Sequence, residues 1–111
     1  MKINWWKTEL KNNEAAAAAN AIRDRHISNG PVSEQFEKAF AEMLGVQYAI
    51  TAPSGTMALV MSLLAHSISA GDEVIIPAST WISTAHAPLL IAAKPVFVDV
   101  QTERPLLDYS Q

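Results

Sequence analysis

Ser54, Gly55 and Thr56 stand together in the run Ala52-Pro53-Ser54-Gly55-Thr56, between a strand-like segment and a long apolar one. Two hydroxyl side chains flank a residue without a Cβ, at the point where a helix would begin. The first turn of a helix has backbone N–H groups with no partner inside the helix and a partial positive charge, so it suits an anion. Glycine lets a phosphate approach the backbone closely, and the hydroxyls add donors. An ordinary strand-to-helix turn capped by Ser or Thr has the same letters, and on these residues alone both readings stand. The run matches neither the P-loop, which needs a lysine after its second glycine, nor G-x-G-x-x-G.

A second candidate is Trp81, in Pro77-Ala78-Ser79-Thr80-Trp81, which follows a short apolar strand. Open α/β sheets gather ligands at the carboxyl ends of their strands, which puts Trp81 on the same edge as Ser54, Gly55 and Thr56. An indole there either stacks on an aromatic ligand or packs as a core residue under a loop. The spacing of His26, His66 and His86 fits no metal motif, so each is expected to be a helix-end or half-buried histidine and no metal site is expected. Asp99 ends a strand and is either a carboxylate at the active edge or a turn residue. Lys94 enters that strand at the far end and reads as a solvated lysine. Trp5 and Trp6 suggest packing against another chain or a further part of this one.

The elements that must position these residues follow from periodicity. The five alanines at 15–19 predict a helix from Glu14 to about Ile27, capped by Asn12 or Asn13. Ser33 opens a second helix whose apolar residues Phe36, Ala39, Phe40, Met43 and Leu44 share one face, with the Phe pair expected in the core and Gly45 closing the helix. Val46–Thr51 predicts a strand. Thr56 to about His66 is a nearly all-apolar helix and should therefore be buried. Glu73–Pro77 is a short apolar strand of the kind covered on both faces, residues 80–93 a helical segment weakened by Pro88, and Pro95–Val100 a third strand. Strands alternating with helices indicate parallel βαβ units in an α/β fold. Three strands with no helix after the last describe a sheet begun and not finished.

Composition narrows the function classes. The 111 residues are 50% apolar and 17% charged, which is globular. With no cysteine there is no disulfide framework, thiolate metal site or thiol nucleophile. A net charge of −3 without a basic run argues against nucleic acid and anionic membrane surfaces. The apolar stretches are shorter than the roughly 20 residues that span a bilayer, and the N-terminus MKINWWKTEL lacks the apolar stretch of a signal peptide. A soluble, cytoplasmic protein is expected.

Three segments together, FEKAFAEMLGVQYAITAPSGTMAL, GDEVIIPASTWISTAHA and AKPVFVDV, resemble the N-terminal third of the DegT/StrS-type sugar aminotransferases, from about Ile27 to Asp108. The resemblance implies the aspartate aminotransferase fold (fold type I), with residues 1–45 as an N-terminal helical segment and 46–111 as the start of the large, pyridoxal-phosphate-binding domain, an incomplete three-layer α/β/α sheet. It implies that Ser54, Gly55 and Thr56 hold the phosphate of pyridoxal 5′-phosphate and that Trp81 stacks on its pyridine ring. It further implies a keto sugar linked to a nucleotide as substrate, glutamate as amino donor, and a homodimer with shared active sites.

The family's cofactor-bonding lysine and its pyridine-pairing aspartate lie downstream of every residue here, so no catalytic residue is expected in this chain and the 111 residues alone are expected to be inactive. The chain therefore reads as a fragment of such an aminotransferase. The alternatives are a non-catalytic truncated paralogue, a small phosphate-binding or interaction module, or part of a related sugar dehydratase using the same cofactor. Cut from its neighbours, the first strand would lack partners and the apolar helix would stay uncovered, so the isolated chain should rearrange, self-associate or stay molten.

Overall fold

The computed structural model describes residues 7–104 and 106–110, so Trp5 and Trp6 lie outside the described residues. The chain divides into two units, Met1–Ile50 and Thr51–Gln111.

The first unit carries α1 (Asn12–Arg23) and α2 (Pro31–Leu44). Helix α1 begins two residues earlier than its alanine run predicts. Its N-cap is Lys11, not Asn12 or Asn13, because the Glu14 carboxylate reaches back to accept the Lys11 backbone N–H at 2.8 Å. Helix α2 likewise starts at Pro31 and not Ser33: proline has no N–H to leave unsatisfied and a φ already suited to the first turn. The Phe36 and Phe40 rings stack at 5.5 Å, yet Phe36 is 56% and Phe40 39% exposed, so the pair is not core. Of the α2 residues only Ala41 is buried. The helical face is amphipathic as read, but the residues that would cover it are not among those described. Residues 46–51 form no strand. A strand exists through its ladder, and the described strands pair only with each other.

The second unit holds the α/β layer: α3 (Gly55–Ala65), β1 (Glu73–Pro77), α4 (Ser83–Leu90) and β2 (Lys94–Val98). Strands β1 and β2 are parallel, with Glu73 opposite Lys94 and Pro77 opposite Val98, so their carboxyl ends share one edge. Helix α4 is the crossover between them and packs on both strands and on α3. At the amino end Lys94 Nζ donates to Glu73 Oε1 at 2.7 Å, and this exposed carboxylate raises the lysine pKa above its ordinary value. The predicted segment 80–93 is helical only over Ser83–Leu90, and Pro88 is fully buried within it.

All four described helices close the same way, with a left-handed residue just past the end and an N–H reaching back over six residues: His26 to Ala21, Val46 to Ala41, Ile68 to Leu63, and Ala93 to Pro88. The left-handed position is glycine only after α2, at Gly45. Arg25, Ser67 and Ala92 hold it elsewhere, at φ near 60°. A Cβ in that region costs about 1 kcal/mol. Ala92→Gly is therefore expected to stabilise the full-length protein by about 1 kcal/mol, read as a raised urea midpoint of that protein; an unchanged or lowered midpoint would contradict the strain.

The core is thin. Val60, Ile76, Ala85, Ala87, Pro88 and Ala93 are buried in the second unit, whereas Ile75 is 64% and Phe97 61% exposed, so the sheet is not covered on both faces. In α3 only Val60 is buried, and Met57, Leu59, Met61 and Leu64 are open. A buried Val or Ile contributes about 1.5–3 kcal/mol, while each ordered residue costs roughly 1–2 kcal/mol; so few large buried side chains do not close that gap. Residues 1–111 produced alone are expected to self-associate and bind a hydrophobic dye, as sedimentation and fluorescence would show. A monomer with a sharp cooperative unfolding transition would contradict this.

Candidate functional site

The carboxyl edge of the β1–β2 pair carries a concave surface in the second unit. Helix α3 starts there. Ser54 is its N-cap in extended conformation, and its Oγ accepts the Met57 N–H at 3.3 Å while its carbonyl accepts from Ala58. Ser54 therefore performs the capping role. Gly55 and Thr56 follow as the first two helical residues, whose N–H groups have no carbonyl one turn back inside the helix.

Nothing in the chain itself demands glycine at 55. Its φ is not in the left-handed range, and a Cβ added there would meet no atom within 4 Å. The missing Cβ leaves open room at the helix start.

Trp81 leaves β1 by the turn after Pro77. The Thr84 N–H bonds the Trp81 carbonyl at 3.0 Å, the Ala85 N–H bonds the Ile82 carbonyl at 3.1 Å, and α4 starts at Ser83. The indole is thus held ahead of the helix and is 75% exposed, so no described residue packs it into a core. It lines, with Gly55, Thr56, Leu59, Ser83 and Thr84, an open concavity of about 500 Å³. Ser54 is not among the residues lining it.

Two hydroxyl pairs tie this surface together. Thr56 Oγ1 and Ser83 Oγ lie 2.8 Å apart and half-buried, joining the starts of α3 and α4. Thr80 Oγ1 and Thr84 Oγ1 lie 3.1 Å apart. Sequence reasoning missed Ser83; its signal was the hydroxyl-rich run Ser79-Thr80-Trp81-Ile82-Ser83-Thr84 directly after an α/β strand. No charged side chain lines the concavity. What it offers a ligand is helix-start N–H groups, hydroxyl donors and a flat aromatic face, which suits an anionic group attached to a planar ring.

The other candidates lie elsewhere in function. The Asp99 carboxylate accepts the Val100 N–H at 2.8 Å and its carbonyl the Asp108 N–H at 2.9 Å, so Asp99 is the turn residue of the two readings. His66 caps the end of α3, its Nδ1 2.9 Å from the Ser62 carbonyl oxygen, and His86 is exposed on α4. Among the described residues no group of His, Asp or Glu could hold a metal ion, and no helix is long and apolar enough to cross a membrane.

Comparison with known proteins identifies the fold and the family. The chain is 38% identical over 95 residues to the UDP-4-amino-4-deoxy-L-arabinose–oxoglutarate aminotransferase of Shewanella sediminis, which covers 86% of this chain and 24% of that protein. An aminotransferase from Psychrobacter cryohalolentis superposes with a TM-score of 0.75 at 37% identity, covering 84% of this chain and 24% of that one. Spr1654 of Streptococcus pneumoniae, assigned as a sugar aminotransferase and solved with both pyridoxamine phosphate (PMP) and pyridoxal phosphate (PLP), superposes with a TM-score of 0.92 at 25% identity, over 99% of this chain and 28% of that one. The fold is thus part of the fold-type-I transferase architecture, and the chain spans about a quarter of the length of these relatives. The model of the DegT/DnrJ/EryC1/StrS aminotransferase family matches residues 8–111, and the chain belongs to that family.

Proposed function

We propose that residues 1–111 are the N-terminal quarter of a pyridoxal-phosphate-dependent sugar aminotransferase, and that the concavity at the β1–β2 carboxyl edge is its cofactor-phosphate cup. The observation that carries this is the shared concavity of Gly55, Thr56 and an exposed Trp81, in a chain of this family. Residues 1–45 act as an N-terminal helical segment, and 46–111 open the cofactor-binding domain.

Pyridoxal phosphate is the cofactor; when bound, it supplies the electron sink that lets an amino group move between two carbon skeletons. The chain's own residues bind and orient it. The Gly55 and Thr56 N–H groups and the Thr56 hydroxyl hold the phosphate, with Ser54 fixing the helix start behind them. The Trp81 indole covers one ring face. Its exposure is what a stacking surface requires, and water leaves that face when a ring covers it.

The chain holds no catalytic residue in this reading. Lys94 is the only lysine in 51–111, and it lies at the amino end of β2, about 13 Å of strand from the cup, paired with Glu73. The covalent and proton-transfer steps belong to residues beyond this chain. The reading extends to glutamate as donor, a nucleotide-linked keto sugar as acceptor, a cytoplasmic homodimer, and a net exchange of the sugar C=O for CH–NH₂ as glutamate becomes 2-oxoglutarate.

The test is a single half-reaction. Full-length holoprotein mixed with glutamate alone is expected to release one 2-oxoglutarate per active site, measured in a coupled assay. No 2-oxoglutarate above the protein-free control would overturn the aminotransferase reading.

A further inference from the structure

The Thr56–Ser83 contact has more content than a tie between two helices. A phosphate at the start of α3 is chiefly an acceptor, and Thr56 has a single O–H to give it. Once that hydrogen points at the phosphate, Thr56 Oγ1 is only an acceptor toward Ser83, 2.8 Å away. Ser83 must then be the donor. In the free chain either hydroxyl can donate, so the ligand selects one of two arrangements already within reach.

The surroundings leave Ser83 available for this role. It is the first residue of α4, whose N-cap is Ile82 with no side-chain cap bond. The neighbouring Thr84 hydroxyl is engaged with Thr80. Ser83 is half-buried, and Oγ–Oγ bonds of this length polarise one another when chained.

Resting on the phosphate-cup reading above, we propose that Ser83 is a positioning residue for the cofactor phosphate: it donates to Thr56 Oγ1, fixes that side chain, and turns its O–H toward the anion. Ser83 acts through Thr56 and does not touch the phosphate.

The test is PMP titration of the full-length apoprotein, followed by fluorescence. PMP carries an amine in place of the aldehyde and so does not bond covalently to lysines. Ser83→Ala is expected to raise the PMP Kd about two- to tenfold, and Ser83→Thr to restore it. Ser83→Cys keeps the volume with only a weak donor and should resemble Ser83→Ala, which separates donation from packing. In a Thr56→Val background, Ser83→Ala should change the Kd no further. An equal loss in both backgrounds, or unchanged affinity in Ser83→Ala and Ser83→Cys while Thr56→Val weakens binding, would overturn the role of Ser83 and leave the cup standing. Unchanged affinity in Thr56→Val would overturn the cup itself, and Ser83 with it.

Discussion

Thr56→Val is expected to weaken cofactor binding by roughly 10- to 150-fold in the full-length protein, a loss of about 1.5–3 kcal/mol for one hydrogen bond to a charged acceptor. Valine matches threonine in shape, so the start of α3 keeps its packing and its N–H groups. What disappears is the hydroxyl that lines the concavity beside Gly55 and meets Ser83 at 2.8 Å. The cup has no charged side chain of its own in this chain, so each donor carries a large share of the hold on an anion. Titration of the apoprotein with PMP measures the effect directly. Affinity equal to that of the parent would show that the phosphate sits elsewhere.

Trp81→Ala is expected to act on the ring as Thr56→Val acts on the phosphate. The indole is 75% exposed among the described residues, and if a cofactor ring is what covers it, the full-length variant should unfold at nearly the parent temperature. Loss of a stacking face costs about 1–3 kcal/mol where an aromatic side chain covers a planar heterocycle, which corresponds to roughly a 5- to 150-fold weaker cofactor. The absorption band of the bound cofactor should also shift, because the ring then faces water in place of an indole. A parent-like spectrum and affinity, or a large fall in stability, would make Trp81 a packing residue.

Much of this was legible in the sequence for identifiable reasons. EVIIP is bounded by turn residues and forms β1 as read, Gly45 closes α2, and the Ser54-Gly55-Thr56 run sits at a helix start. Local rules are enough where the determining atoms lie within one turn. They fail where partners are distant. Residues 46–51 have strand composition without a ladder, and Phe36 and Phe40 have core character without a cover. Trp81 was ambiguous because exposure is a property of the assembled edge, and the described residues leave the indole 75% exposed. Ser83 itself carried no distinctive letter; its meaning comes from a contact 27 residues away along the chain.

The unfinished sheet and the polar edge belong to the same picture. A two-stranded parallel sheet with Ile75 and Phe97 open to solvent is a poor independent fold, yet its carboxyl edge is already organised. Hydroxyl pairs, a helix start and the turn before α4 set that edge locally, whereas the apolar faces need material from outside the described residues. That separation is why the proposed phosphate cup can be described from this chain alone.

The most direct measurement is the crystal structure of the full-length protein with pyridoxamine phosphate bound. The predicted result has the phosphate within hydrogen-bonding distance of the Gly55 and Thr56 N–H groups and of the Thr56 hydroxyl, with the pyridine ring lying flat against Trp81. A phosphate bound away from the start of α3, or a ring that leaves Trp81 in water, would contradict the account.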